Sequence, residues 1–347
     1  MAYEPGGRVS NLMTTKNIPS GSKGVYYGPG TPAETLVNNF VITTNPSGFP
    51  GSRNGDSAVD IYGANGVTLV NAGTIDATYA SLNDAGYGVL FSAAAGTNLT
   101  AHITNTAAGV IEDTGGYGFG VFILGGTLVN YGHISGGNGI YAGAGVRVGS
   151  MGTYISNAST GIISGGGIEG YGPVNIVNAG KIQGFAASNK YGAISLHDGG
   201  SVTNLATGTI SPLGGTAYGI KITGGVGAVT NAGYISGGGG DAVSLTAAFG
   251  GVVTVDAGAS FHGVVDGGAA AKSTLELGSS ASKGTLSGFN SEYINFGTLT
   301  FAPSASWLFE TNTANIPGVV DGFVSGDTID ITGFVATSLT TLSGNTG

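Results

Sequence analysis

Apolar and polar residues alternate along most of this chain in short runs separated by glycine-rich breaks. Ile194 and Leu196 flank Ser195, Ile220 and Ile222 flank Lys221, and Val243 and Leu245 flank Ser244. Period-two alternation is the mark of a strand with one buried face. Nothing in the chain shows the 3.6-residue spacing of an amphipathic helix. The strands recur with a fixed word between them. "VNAGTI" stands at 70–75, "VNYGHI" at 129–134, "VNAGKI" at 177–182 and "TNAGYI" at 230–235.

Aligned on the Asn, the word gives Asn71, Asn105, Asn130, Asn157, Asn178, Asn204 and Asn231, with Asp256 of "VDAGASF" in the next place. The steps run from about 21 to 34 residues and mostly fall near 25–27, in the range of solenoid repeats. Two residues before each Asn stands Leu, Ile or Val, and an Ile follows the turn. The turn has a short form, N-x-G-x-I, and a long one, as in "NTAAGVI", "NASTGII" and "NLATGTI". In both, Gly stands two residues before Ile, at a position that needs positive φ or a close backbone approach. The Asn shares a strand face with the apolar residue two before it, so it points inward. A buried amide is costly unless bonded. Stacked coils would let each Asn bond its neighbour above or below. Two clear strands per coil, with room for a third, predict a parallel β-helix. A propeller blade is longer, and ankyrin or tetratricopeptide repeats need helices.

The pattern divides the chain into three. Residues 1–40 lack the word and carry Pro5, Pro19, Pro29 and Pro32, which predicts an N-terminal cap. Residues 41–268 hold the coils. Residues 269–347 continue them with a more aromatic core that includes the single Trp307.

Composition narrows the function. The chain has 347 residues, 69 Gly, no Cys, 8% charged residues and a net charge of −9. Without Cys there is no disulfide, thiolate metal site or cysteine nucleophile. The acidic balance and the lack of a basic cluster argue against nucleic acid. No run of about 18 apolar residues predicts a membrane-spanning helix, so no direct membrane insertion is expected. The N-terminus has no apolar segment of the signal-peptide kind, and the chain reads as a piece of a longer protein.

Candidate chemistry is sparse. Asp56 and Asp60 lie near Arg53, Glu112 adjoins Asp113, and His197 adjoins Asp198. No pair repeats at one coil spacing with another, so these read as solvated turn charges, and no catalytic residue is nominated. Arg53, Arg147 and Lys221 are too scattered to serve as a common base. "GDTIDI" at 326–331 has the outline of a calcium-binding nonapeptide, but a single copy reads as turn charges on Asp327 and Asp330. The four His share no metal-ligand spacing, no phosphate-loop frame closes on Lys-Ser or Lys-Thr, and no cofactor is expected. Tyr87, Tyr117, Tyr171, Tyr191 and Tyr218 each precede Gly. If they face outward they form a strip suited to sugars or to a protein partner; the plainer reading is Tyr filling coil corners.

The "NAGTI"-type words, the "YGI" segments and "STLELGSSASKGTLSGFNSEYINFGTLTF" resemble passenger domains of bacterial autotransporters and related large surface adhesins, over roughly residues 67–335. The resemblance implies an all-β, right-handed parallel β-helix displayed at the cell surface or released outside it. It implies a non-catalytic adhesin or stalk that binds glycans or proteins. A polysaccharide lyase or hydrolase of the β-helix type, and a self-associating matrix component, stand as alternatives.

Overall fold

The computed structural model describes residues 14–19, 24–44, 57–78, 86–93, 100–115, 118–137, 143–184, 192–215, 217–246, 248–268, 272–279 and 282–333. The chain is all-β, and its sheets are parallel throughout the described residues. Three long sheets, of 13, 9 and 11 described strands, form the sides of a prism. Successive strands of one sheet come from successive coils, so the chain visits each side in turn and climbs.

The first sheet carries the strands that end on the repeated Asn, such as Thr68–Asn71 and Val174–Asn178. After the turn the chain enters the second sheet, as in Thr74–Ala77 and Lys181–Gly184. The third sheet supplies the strand for which the sequence left room, as in Phe119–Ile123 and Gly192–Leu196.

Stacking of like residues builds the core. Leu69, Ile103, Leu128, Ile155, Ile176, Val202 and Val229 lie in register down the first sheet and are at most 1% exposed. Ile75, Ile111, Ile134, Ile163, Ile182, Ile210 and Ile235 do the same in the second. No coil can bury this apolar edge alone, so the core exists only because coils stack.

The Asn column is a continuous amide ladder. Each Nδ2 donates to the Oδ1 of the next Asn at 2.8–2.9 Å, from Asn71 to Asn231. Every member is at most 1% exposed. The same nitrogens also donate to turn carbonyls, as from Asn157 to Gly161 O at 3.1 Å. Buried amides are thereby satisfied without water.

Two boundary expectations need correction. Strand Glu34–Asn38 pairs in register with Thr68–Asn71, and Asn38 donates to Asn71 Oδ1 at 2.8 Å. Strand Thr14–Asn17 pairs beneath it. Coils therefore begin inside the stretch assigned to a cap, and the ladder has one more member than the repeat word showed. "NNFVI" at 38–42 is the short turn with Phe40 in place of Gly. The reason is steric. At Gly73 an added Cβ would strike the backbone of Asn39 and Phe40 in the coil below. Among the described residues Phe40 has no ladder coil below it, and its side chain stands 45% exposed.

At the other end Asp256 does not continue the ladder. Asn231 pairs with Val255, which places Asp256 one residue past the column, in the turn. Here Gly258 takes φ +92° with nothing near its Cβ position, whereas the ladder-turn glycines have ordinary φ and close contacts.

Beyond residue 268 the first sheet continues through Thr274–Leu277, Thr298–Phe301 and Val319–Asp321. A fourth sheet, Gly284–Leu286 with Trp307–Asn312 and Thr328–Thr332, follows the first-sheet strands here, in the place in the coil that the second sheet holds up to Ser260–His262. Trp307, Phe289, Phe296, Phe301 and Phe309 fill this wider core.

Candidate functional site

The outward positions of the first two sheets mix Ser and Thr with Val and with scattered larger groups such as Tyr154, His133, Lys181 and Tyr234. The third sheet differs. Its outward column reads Phe122, Arg147, Glu169, Ser195, Lys221, Ser244, Asp266 on seven successive strands. In a chain with only ten Lys and Arg, this is a concentration of charge. Ser195 was expected to face solvent. It does lie on the outward face, but only 3% is exposed, and its Oγ accepts the Gly192 N–H at 2.8 Å.

Around Arg147 the column becomes a stack. The guanidinium carbon lies 4.9 Å from the ring centroid of Phe119 and 4.9 Å from that of Tyr171. Tyr171 stacks on His197 at 4.5 Å with 19° between planes, and Phe119 stacks on Tyr87 at 5.7 Å with 24°. Tyr87, Phe119, Arg147, Tyr171 and His197 come from five successive coils, so the rung spacing of about 4.8 Å suits flat groups laid one on another.

Glu169 anchors the stack. Its Oε2 lies 3.6 Å from Arg147 Nε, and its Oε1 accepts the Tyr171 hydroxyl at 2.7 Å and lies 3.7 Å from His197 Nε2. Burial alone would push this carboxyl up. His197, the Tyr171 hydrogen bond and the Arg147 charge together outweigh burial and hold it below the usual carboxylate range. His197 follows strand Gly192–Leu196 as Tyr171 follows Ile168–Gly170, one register place past the Gly170–Leu196 pair, so it lies directly over Tyr171 on the next coil.

Farther along the same face, Lys221 Nζ stands 4.5 Å over the Tyr218 ring. Asp266 accepts from Asn295 Nδ2 and the Gly268 N–H, both at 2.7 Å. Nearby, the Asp241 carboxyl is raised by burial and by the charge of Asp266, against the opposing pull of Ser244 and Lys221.

The described members of the five-tyrosine strip, Tyr87, Tyr171 and Tyr218, do not line up as one row. Tyr117 and Tyr191 lie outside the described residues. Tyr87 and Tyr218 open third-sheet strands five rungs apart, about 24 Å at the usual strand spacing. Tyr171 follows the end of strand Ile168–Gly170, at the opposite margin. Tyr87 and Tyr171 do belong to one stack, but through Phe119 and Arg147, which the spacing of Tyr alone does not reveal.

The other sequence candidates separate. Arg53 and Asp56 lie outside the described residues, and Asp60 stands in the third sheet's outward column, in register with Leu90, but is buried. Asp113 points inward and accepts the N–H groups of Gly115 and Gly118, a structural cap. Glu112 points outward beside Asp76 on the adjacent strand. Its carboxyl is raised by burial and by the Asp76 charge. Asp327 caps the Trp307 and Val324 N–H groups as a turn charge. The described residues hold no group of three or more His, Asp or Glu placed to bind a metal ion. No family model, curated protein or solved structure matches the chain.

Proposed function

We propose that this chain is a non-catalytic display module of the bacterial cell surface, a passenger-type β-helix whose outer faces bind glycan or protein partners. One observation carries the reading: the repeated residues are spent on the interior, while the third sheet carries on its outside charged and aromatic groups stacked across five successive coils. Such a body offers a long, rigid surface and keeps its variation in faces and turns. The carboxylates of the charged column suit binding better than bond cleavage. Glu169 and Asp266 stand four rungs apart, about 19 Å. Carboxyl pairs that hydrolyse glycosides stand about 5–9.5 Å apart. Proteolytic shaving of intact source cells should release this segment, and the purified protein should leave uronate polymers and neutral glycans uncut. Sustained appearance of unsaturated products or new reducing ends would end the reading.

A second reading rests on Asp76 and Glu112. They lie in register on adjacent strands, and Glu112 is pushed up while Thr114 Oγ1 donates to Asp76 Oδ1 at 2.8 Å. A raised carboxyl beside a second carboxyl is an arrangement that glycoside hydrolases use. That reading requires glycan turnover that Glu112→Gln abolishes without changing the melting temperature.

A further inference from the structure

The stack on the third sheet is built more firmly than a surface ion pair needs. Exposed pairs contribute little and leave long side chains mobile. Arg147 is instead gripped on both faces by rings and on its Nε edge by Glu169. Its side chain keeps 34% exposure, and among the described residues no ion-pair partner stands at its terminal fork. Rotamer freedom that a ligand would otherwise have to freeze is already lost, so new hydrogen bonds at the fork come at low entropic cost.

The charge balance selects the ligand. Arg147 is neutralised by Glu169, and the chain as a whole carries −9. A polyanion would meet net repulsion, and the next cation of the column, Lys221, stands three rungs away from Arg147, about 14 Å. What the pair does offer is a planar donor fork beside a planar acceptor. Neighbouring sugar hydroxyls can accept from the one and donate to the other. Tyr171, 36% exposed, borders the pair and offers an apolar rim that a sugar ring can cover, its two faces being taken by Arg147 and His197. From these observations we infer that the Arg147–Glu169 pair, within the stack from Tyr87 to His197, is a subsite for an uncharged glycan. It reads vicinal hydroxyls of a chain laid along the solenoid axis. This inference rests on the display-module reading and names its ligand class.

Calorimetric titration with neutral oligosaccharides of glucose, galactose and mannose, beside uronate and sulfated oligosaccharides, tests it. Binding of at least one neutral series is expected. Arg147→Ala should weaken it at least tenfold in a protein that still unfolds cooperatively. Arg147→Lys should not restore it, because a point charge lacks the fork. A measurement on the unaltered protein guards against misfolded variants: the chain has only Arg8, Arg53 and Arg147, so dicarbonyl labelling read by mass spectrometry should show the bound sugar protecting Arg147 selectively. No binding of any neutral series, exclusive binding of the charged ones, or neutral binding without protection of Arg147 overturns the inference. Each of these leaves the display-module reading standing. That reading falls by a different result, the release of new reducing ends over time.

Discussion

At the scale of single residues, the ladder Asn and its turn Gly carry separate loads. Asn178 accepts from Asn157 and donates to Asn204, both at 2.8 Å. Asn178→Leu would strand a buried donor on one side and an acceptor on the other. A loss of about 2–4 kcal/mol is expected in denaturant unfolding. Lys181→Ala, exposed in the next strand, should stay within about 0.5 kcal/mol. At Gly161 an added Cβ would lie under 3.0 Å from Asn157 Oδ1 and the Asn130 carbonyl. Gly161→Ala should therefore destabilise strongly, whereas alanine at Gly152, where the space is open, should be close to neutral if folding is followed by melting temperature. Glu169 supplies a pH test. Its folded carboxyl titrates below the unfolded value, so it stabilises the fold above that value and loses the effect as pH falls through the folded one. Glu169→Gln should lower stability at pH 7 by about 2 kcal/mol. The gap to the unaltered protein should close in acid, and a gap independent of pH would deny the carboxylate its role.

At the scale of strands and turns, the sequence was most legible where the same constraint returned coil after coil. The inward Ile and Val, the Asn and the turn Gly are repeated because each must fit the copy above and below, so one chain displays its own comparison set. Asn38 escaped notice because Phe40 replaced the Gly, and Gly is obligatory only where another ladder turn lies beneath. Asp256 was misplaced because its turn keeps the shape of the word while the column has already passed to Val255. The stack around Arg147 was illegible for a different reason. Its members sit at unequal distances from the Asn, on a strand, at a strand end and in a turn. They meet only after the coil is folded. Arg147 and His197 each looked isolated in the sequence, and Glu169 attracted no notice.

At the scale of the whole molecule, the two parts of the solenoid are held differently. The ladder ends at Asn231, and the last described strands, Val319–Asp321 and Thr328–Thr332, are largely exposed. Nearest-neighbour stacking lets such coils open without the rest. Trp307, the sole Trp, sits in this region with its indole N–H on Gly278 O at 2.8 Å. Its fluorescence should change at lower denaturant concentration than the far-ultraviolet dichroism, which is dominated by the ladder coils. Superimposed transitions would mean that the molecule unfolds as one cooperative unit.

The parallel register has a consequence for reach. Each coil advances the chain by one strand spacing, about 4.8 Å, whether its loops are short or long. Ladder neighbours lie from 21 to 34 residues apart in sequence, yet they are always one rung apart in space. The 13 strands of the first sheet thus set a span of about 58 Å between its ends. Loops can lengthen or shorten without altering that span, and only the gain or loss of a whole coil changes it. The protein is a ruler, graduated in coils, that fixes how far whatever it presents stands from whatever holds it.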